Sequence, residues 1–208
     1  QGLMTETVAR QAITWLFAAS GKSDMVCITF FGGEPLLNKP VLRFAIQYSQ
    51  QLAKLHGKKV FYSMTTNGTL LDDEVIGYIK KYNFGLMVSL DGPPDIHNKQ
   101  CPTRSGQPSF DEAAAGIKKL MARRRSVTVR CTMTHPVPRM LDLIHYFEDF
   151  GFTRIVLGSA LNPVNPSPVD CTDEDIAECT RQEDEELIPW MLEKLAAGQT
   201  PKYSPYAK

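Results

Sequence analysis

The sequence has 208 residues, of which 43% are hydrophobic and 22% are charged, and its formal net charge is zero. A chain of this length can bury about 70% of its unfolded surface, so it can form a hydrophobic core. The balanced charge and the lack of an apolar run near ~18 residues exclude nucleic acid and membrane as partners. Its dispersed, odd-numbered cysteines predict reduced thiols and a cytoplasmic protein.

Apolar periodicity predicts the first two elements. Between residues 5 and 20 the spacing predicts an amphipathic helix whose apolar face comprises Val8, Ala12, Trp15, Leu16 and Ala19. Residues 25–31 form a short apolar run that ends in glycines, which is typical of a strand covered on both faces.

The strand and helix alternation continues along the chain. Helices are predicted over 40–56, 72–82, 109–124, 138–150 and 172–197, and strands over 60–66, 85–90, 127–133 and 154–158. Loops are predicted over 95–108 and, rich in proline, over 159–170, and Thr172 with Asp175 predicts a capping box. This alternation indicates a parallel sheet with helical crossovers.

The predicted strands are too few for a closed barrel, which needs about eight. The sheet is therefore expected to be open or incomplete. Because the chain begins at Gln1 with a helix and no preceding strand, we expect it to be a piece of a longer protein.

Polar residues and glycines follow the ends of the predicted strands, where ligands collect in parallel α/β folds. In ITFFGGEPLLN, residues 28–38, an apolar strand runs into Gly32, Gly33 and Glu34. Glycine lets backbone carbonyls approach a ligand, and a carboxylate beside them suits an ammonium group. The residues therefore predict a ligand that carries an amine. They leave open a carboxylate at the N-terminus of a helix that Pro35 begins.

Three ordered segments, FFGGEPLLN, TTNGTLL and VSLDGPPDIHN, stand at the tips of successive predicted strands. Together they resemble the radical S-adenosylmethionine enzymes over residues 5–160. The likeness is greatest to the peptide- and protein-modifying branch with a C-terminal auxiliary-cluster (SPASM-type) domain. That branch includes the anaerobic sulfatase-maturing enzymes and the quinohemoprotein amine dehydrogenase maturation proteins.

The resemblance implies an α/β fold, a partial (β/α)6 TIM-like barrel with a parallel sheet, here truncated to about five strands. It implies S-adenosylmethionine as a cofactor, with a four-iron four-sulfur cluster in the full-length protein whose ligands are not in this chain. It also implies a peptide or protein substrate and a reductant such as flavodoxin or ferredoxin.

The resemblance also implies which residues contact S-adenosylmethionine. The Gly-Gly-Glu segment is expected to hold the methionyl amino group, Arg130 to meet its carboxylate, and the strand near Leu157 and Gly158 to support the adenine. The full set is Gly32, Gly33, Glu34, Ser63, Thr65, Asn67, Ser89, Arg130 and Leu157. No catalytic residue and no metal ligand is assigned within this chain.

Several of these residues have structural alternatives that the sequence leaves open. Ser89 and Asp91 could organise a turn, and Asn67 begins an Asn-Gly turn pair. Arg130 could form a structural ion pair within its strand. His97 is predicted to order its loop, because no second metal ligand lies at metal-binding spacing in the sequence.

The sequence departs from the family at its cysteines. The CxxxCxxC loop that binds the catalytic cluster is absent, and Cys27, Cys101, Cys131, Cys171 and Cys179 are too dispersed to converge on one cluster. Cys171 and Cys179 are taken as ordinary thiols. Cys101 stands where relatives often carry an arginine, which puts the substrate-side contacts of its loop in question.

These observations predict a core over residues 1–160 and a bridge over 161–208 toward an auxiliary-cluster domain. The full-length protein is expected to cleave S-adenosylmethionine reductively and to abstract hydrogen from a peptide or protein side chain, whereas this chain alone is not. The alternative is a non-catalytic binding module that has lost its cluster. A doubly wound nucleotide-binding protein is disfavoured, because neither GxGxxG nor GxxxxGK[ST] follows a strand.

Overall fold

A computed structural model describes residues 2–124, 126–161 and 167–203. The strands are β1 (Met25–Phe30), β2 (Lys59–Thr66), β3 (Gly85–Ser89), β4 (Thr128–Met133) and β5 (Arg154–Ser159). The helices are α1 (Glu6–Ala19), α2 (Lys39–His56), α3 (Asp73–Lys81), α4 (Pro94–Gln100), α5 (Phe110–Met121), α6 (Met140–Phe150), α7 (Asp173–Gln182) and α8 (Ile188–Ala196).

The strands form one sheet in the order β1-β2-β3-β4-β5. Residues 25–30 of β1 pair in parallel with residues 59–64 of β2, and β4 pairs in parallel with β5. Neighbours in the chain are therefore neighbours in the sheet, as in a barrel built from successive strand-helix units. The predicted α/β fold class, a parallel sheet of a partial TIM-like barrel, is confirmed.

Backbone contacts divide the chain into a first unit up to Met87 and a second unit from Val88 onward. In the first unit, α1 and α2 pack together, and buried side chains of both helices meet β1. The cluster comprises Ile13, Phe17, Val26, Ala45 and Ala53. Burying such side chains is the main favourable term in folding, worth roughly 1.5–3 kcal/mol for each large one.

Helix α1 is confirmed, but its predicted apolar face is wrong except at Leu16, which packs against the core. The helix buries Ala9, Ile13 and Phe17, whereas Val8 and Trp15 are 48% and 70% exposed. Two apolar stripes run along this helix at the same 3.6-residue period, and periodicity alone does not say which of them meets the core.

The prediction that β1 is covered on both faces is also wrong. Val26 is buried, and Ile28 and Phe30 pack against the core, but the alternate residues Cys27 and Thr29 are exposed. Side chains alternate between the two faces of a strand. One face of β1 is therefore open within the described residues.

In the second unit, α6 packs on β5, and fully buried side chains come from α5, β4 and α6, among them Ile117, Val129 and Phe147. The predicted loop over 95–108 is partly wrong, because α4 occupies its start. Asn98 of α4 accepts hydrogen bonds from the backbone N–H groups of Ser109 and Phe110 and so satisfies the start of α5.

The C-terminal helical segment is interrupted by a π-helical stretch over Glu183–Leu187. It begins as predicted, with a capping box between Thr172 and Asp175. Oδ2 of Asp175 also lies 2.7 Å from Nδ1 of His135, and its Oδ1 accepts a hydrogen bond from the N–H of Val137. These contacts attach α7 to the loop after β4. Of the predicted proline-rich loop over 159–170, residues 162–166 lie outside the described residues.

Two further findings concern membrane-spanning helices and disulfide bonds. Within residues 2–124, 126–161 and 167–203, no helix combines the length and apolar character needed to cross a membrane. All five cysteines are free.

Candidate functional site

Glu34 joins the loops that follow β1 and β2. Its Oε1 accepts hydrogen bonds from the N–H of Leu36 at 3.0 Å and the hydroxyl of Thr66 at 2.9 Å. Its Oε2 accepts the N–H of Asn67 at 2.7 Å. The residue is also the N-cap of a 3-10 helix over Pro35–Asn38, so the helix-terminus alternative describes its local role.

This arrangement limits what the carboxylate can still bind. A carboxylate offers roughly four lone-pair positions, and the three donors named above fill most of them. A ligand ammonium would therefore meet a fixed charge with about one free acceptor position, and most of its remaining donors need other acceptors. The acceptors nearest to Glu34 in sequence are the backbone carbonyls of the two adjacent glycines, Gly32 and Gly33.

Gly32 and Gly33 both have positive φ, +98° and +46°, which is the conformation that side chains disfavour. A Cβ atom added at either position would meet nothing within 4 Å. The glycines are therefore required by backbone conformation, and the space around them is open to a ligand. The open backbone is predicted from the sequence, whereas the left-handed turn is not.

Ser63 and Thr65 lie on the less buried face of β2 and line a shallow cavity of about 260 Å³. Thr29 of β1 lines it too, and its hydroxyl lies 2.7 Å from the Ser63 hydroxyl. Thr29 was not predicted as a site residue. The parallel register, in which Thr29 opposes Ser63, places both hydroxyls on one face, and it could not be known before the strands were paired.

A second cavity of about 380 Å³ lies beside β1 and is mainly apolar, with Gly32 and Glu34 in its wall. Thr29 also lines this cavity. Within the first unit, the structure therefore divides the predicted residues between two cavities that share Thr29.

The side-chain oxygen of Asn67 is engaged locally. Its Oδ1 accepts hydrogen bonds from the N–H and the hydroxyl of Thr69, at 3.1 and 2.8 Å, which is the local turn that the Asn-Gly pair predicts. Its contribution to the strand-end loops is the backbone N–H that it donates to Glu34.

In the second unit, Arg130 lies at the middle of β4 and is exposed. It forms no ion pair with any residue that the structure describes, so the structural ion-pair alternative is not seen. An exposed guanidinium with unused donors remains available to an anion. Ser89 ends β3 on the less buried face of that strand, whose burial alternates from residue to residue.

The strand register shows which atoms of the Leu157 region lie on the same face of the sheet as Arg130. In the parallel pair, Leu157 opposes the buried Cys131, whereas Arg130 opposes Val156. Paired residues project from the same face of a sheet, and successive residues from opposite faces. The Leu157 side chain therefore lies on the opposite face from Arg130, and only Val156, Gly158 or the backbone can share a ligand with Arg130.

A polar network surrounds Asp91 at the tip of β3. Its Oδ1 accepts the N–H of Thr132 at 2.8 Å, and its Oδ2 accepts the thiol of Cys101 at 3.0 Å. The Asp91 N–H donates to Nδ1 of His97 at 3.1 Å, and Nε2 of His97 lies 3.2 Å from the Ser109 hydroxyl. His97 orders this loop, as the sequence predicts.

Burial and charge shift the titration of this network. Burial first, and then the hydrogen bond to Asp91, raise the pKa of the Cys101 thiol to about 12. Burial lowers the pKa of His97, and the Asp91 charge opposes that shift. At neutral pH the imidazole is therefore neutral and Cys101 carries its proton.

The donor set of this chain does not fit an iron-sulfur cluster. Within the described residues, the one group of three metal-ligand side chains close enough to share an ion is Asp91, His97 and Cys101, which contains a single thiol. Clusters of this kind need several thiolates. The three residues lack regular metal-ligand spacing in the sequence, so their proximity becomes visible only in the structure.

Comparison with known proteins identifies relatives. The family model of the Radical SAM superfamily matches residues 6–158. A cysteine-type anaerobic sulfatase-maturating enzyme of Clostridium novyi is 26% identical over 171 residues, which are 78% of this chain and 42% of that protein. A serine-type anaerobic sulfatase-maturating enzyme of Bacteroides thetaiotaomicron is 33% identical over 95 residues, 46% of this chain and 23% of that protein.

Solved structures show the same fold. Native anSMEcpe with bound AdoMet and the Cp18Cys peptide superposes with a TM-score of 0.83 at 19% identity, covering 97% of this chain and 56% of that one. Streptococcus suis SuiB superposes with a TM-score of 0.63 at 13% identity, covering 98% of this chain and 44% of that one. The chain thus spans between 23% and 56% of the length of these relatives.

Proposed function

Because the chain belongs to the radical SAM superfamily, we propose that it is the S-adenosylmethionine-binding core of a longer enzyme that modifies a peptide or protein side chain. The support is the sequence likeness to sulfatase-maturating enzymes and the fold shared with a peptide-bound relative. In this superfamily, one electron from an iron-sulfur cluster cleaves S-adenosylmethionine, and the resulting 5'-deoxyadenosyl radical abstracts hydrogen from the substrate.

The observation that carries the proposal is the fixed carboxylate of Glu34 beside two open glycine units. Its hydrogen bonds to Thr66 and Asn67 hold the loops after β1 and β2 together, so the charge is placed before any ligand arrives. We infer that the carbonyls of Gly32 and Gly33 supply most of the acceptors for the methionyl ammonium and that Glu34 supplies the compensating charge. Such preorganisation reduces the cost of orienting a ligand.

The hydroxyl groups of Thr29, Ser63 and Thr65 form a polar wall in the cavity of about 260 Å³. This volume is slightly below the range of about 300–1,000 Å³ for ligand sites, which fix their ligands with a few polar groups. We propose that this wall contacts S-adenosylmethionine. Hydroxyls both donate and accept, so they can serve the ribose or the carboxylate.

In the second unit we propose that Arg130 binds the methionyl carboxylate, since its guanidinium is exposed and available. Ser89 is proposed as a further contact. The adenine is proposed to rest against the backbone of β5 near Leu157 and Gly158, because the Leu157 side chain lies on the opposite face from Arg130.

The remaining parts of the enzyme are proposals about the full-length protein. We propose that its cluster ligands lie outside this chain, since the thiols present do not fit a cluster, and that residues 161–208 are a bridge toward an auxiliary-cluster domain. A peptide or protein is the proposed substrate, and flavodoxin or ferredoxin the proposed electron donor. Five free cysteines support a reducing, cytoplasmic setting.

The proposal is tested on protein expressed from the complete gene under anaerobic conditions. We expect about four iron and four sulfide per core cluster, and S-adenosylmethionine binding that calorimetry detects. Glu34→Gln should weaken that binding while far-ultraviolet circular dichroism stays unchanged. Glu6→Gln, an exposed acid in the first turn of α1, is the control. Equal affinity of Glu34→Gln and parent would refute the assigned role of Glu34.

The second candidate is a non-catalytic binding module, favoured by the scattered thiols of the described residues. It predicts S-adenosylmethionine binding without iron or sulfide in the complete protein, and no 5'-deoxyadenosine on addition of dithionite. Iron and sulfide analysis therefore separates the two candidates before any substrate is known.

A further inference from the structure

The outer face of α8 carries an apolar stripe that stays exposed to solvent. It consists of Ile188, Leu192 and Leu195, which are 49%, 61% and 55% exposed. Their spacing of four and then three residues places them on one side of the helix. We propose that this stripe, with the carboxylates beside it, is a docking surface for a cationic amphipathic helix of a partner polypeptide.

The inner face of α8 is already used by contacts with α6. Trp190 lies against His145, with ring centroids 5.9 Å apart, and Nζ of Lys194 lies 3.1 Å from Oε2 of Glu148. Trp190 and Lys194 are about half a turn around the helix from the stripe, so the stripe faces away from α6. None of these residues is among the proposed S-adenosylmethionine contacts, and the proposal does not depend on them.

The length of α8 makes additional packing favourable. The helix has nine residues, and none of them is buried. Isolated helices shorter than about 12–15 residues are marginal in water, because most helical stability in proteins comes from burying an apolar face. Covering the stripe with a partner would therefore supply packing that α8 lacks in the described part of the chain.

The charge of the C-terminal helical segment indicates the kind of partner. Residues 173–197 contain nine acidic and two basic side chains, although the whole chain is neutral with 23 of each. Both basic residues, Arg181 and Lys194, are paired with glutamates. The segment therefore presents an excess of negative charge, which attracts a cationic partner and steers its approach.

Two carboxylates border the stripe and are available to a partner. Asp184 lies about one turn before Ile188, and Glu193 directly follows Leu192. Both are exposed, and neither forms an ion pair with a residue that the structure describes. Charges at the borders of an apolar stripe select the helix that pairs with it. Lysine or arginine beside the apolar stripe of the partner would match these two carboxylates.

The same charges disfavour the other surfaces that an apolar stripe can meet. Helices that lie on membranes carry lysine and arginine on their polar face, because lipid surfaces are anionic. A second copy of this chain would bring its own acidic segment against the first, and like charges repel. A separate cationic helix, with apolar residues at the same helical spacing, is therefore the partner that fits.

The test is fluorescence anisotropy with protein expressed from the complete gene. The probe is a labelled peptide of about 14 residues, built from leucine and lysine, whose leucines recur at helical spacing. We expect saturable binding. A peptide of the same composition in scrambled order, and one in which glutamate replaces lysine, should each bind at least about 10-fold more weakly.

Variants of the surface should weaken the binding of this peptide. Leu192→Ser, at the centre of the stripe, should weaken it about 10-fold or more, because central apolar anchors dominate interface energies. The double variant Asp184→Asn with Glu193→Gln should weaken binding and reduce its dependence on salt. Far-ultraviolet circular dichroism should stay unchanged in all of them, since these side chains are exposed.

Leu55→Ser is the matched control. Leu55 is 77% exposed in the last turn of α2, where its neighbours Lys54 and Lys58 are cationic, so it should not attract the peptide. Absence of binding by the parent, which a stripe already covered in the complete protein would produce, would overturn the proposal, as would equal binding by Leu192→Ser. A dimer, or binding to phosphatidylcholine–phosphatidylserine vesicles, that Leu192→Ser abolishes would also overturn it and assign the stripe to a second copy or to a membrane.

Discussion

The Oε2 atom of Glu34 accepts a 2.7 Å hydrogen bond from the backbone N–H of Asn67, 33 residues further along the chain. With the Thr66 hydroxyl on Oε1, this bond ties the tip of β1 to the tip of β2. The carboxylate is thus part of the scaffold as well as a candidate ligand group. Its structural and binding roles can be separated by variants of its partners.

Thr66→Val tests the scaffold role. Thr66 is 1% exposed, and its hydroxyl donates to Glu34 and accepts the Gly68 N–H. Losing these buried bonds should lower the free energy of unfolding by about 1–3 kcal/mol. Urea denaturation measures the change, and Thr65→Val on the more open face of β2 should stay within about 0.5 kcal/mol of parent. Equal stability of the two variants would contradict a structural role for the Thr66 hydroxyl.

Gly33→Ala tests the left-handed turn before Glu34. The φ of Gly33 is +46°, and a Cβ there would meet nothing within 4 Å, so only the backbone conformation opposes the substitution. We expect a loss of about 1–2 kcal/mol in the free energy of unfolding.

Gly77→Ala is its control, because Gly77 lies inside α3 and also has open space around a Cβ. That change should instead stabilise the protein by about 0.5–1 kcal/mol. Thermal unfolding of both variants gives the comparison, and a destabilised Gly77→Ala or a neutral Gly33→Ala would show that the backbone argument is mistaken.

Arg130→Gln tests the carboxylate contact. A charge-assisted hydrogen bond is worth about 1.5–3 kcal/mol, so the affinity of the complete protein for S-adenosylmethionine should fall about 10–100-fold. Arg154→Gln provides the control, since Arg154 is an exposed arginine at the start of the neighbouring strand β5. Calorimetric titration that finds parent-like affinity for Arg130→Gln would remove Arg130 from the site.

The ionisation of Asp175 should make the free energy of unfolding depend on pH in the acid range. Chiefly the hydrogen bond from the Thr172 backbone, with help from His135 and Val137, lowers the pKa of Asp175 to about 2 from 3.8. Below pH 3.8 the unfolded chain therefore binds a proton more readily than the folded chain does, and stability falls as pH drops toward 2.

In Asp175→Asn this part of the acid dependence should disappear, and stability near neutral pH should be lower than in the parent. Urea midpoints measured across this pH range provide the test. Asp184→Asn, which removes an exposed carboxylate of the π-helical stretch, should keep the acid dependence of the parent. An unchanged pH profile in Asp175→Asn would be the contrary result.

Local signals explain how much of the fold could be predicted. Three helices begin where the sequence predicts, and the side chain of each N-cap residue, Thr5, Asp72 and Thr172, accepts a backbone N–H. Helices α2 and α6 end at glycines with positive φ, Gly57 and Gly151. These signals lie within one or two turns of sequence. Helix α4 was missed because it has only seven residues and begins within a pair of prolines, Pro93 at its N-cap and Pro94 at its first position.

Nonlocal geometry explains what could not be predicted. The sequence marks Glu34 as unusual, but its partners Thr66 and Asn67 lie more than 30 residues away and become visible only when β1 and β2 pair. The same holds for Thr29 beside Ser63 and for Cys131 opposite Leu157. The types of side chain in the sequence can suggest a site. The register of the paired strands determines which of those side chains lie close enough to contact each other.

The exposure of β1 has a practical consequence for handling the chain alone. This strand is at one end of the strand order, and VCITFF, residues 26–31, contains no charge and no proline. An uncharged outer strand is a template on which a second molecule can add its own strand. Concentrated solutions are therefore expected to aggregate through this segment, and a lysine introduced at the exposed Cys27 should delay that process.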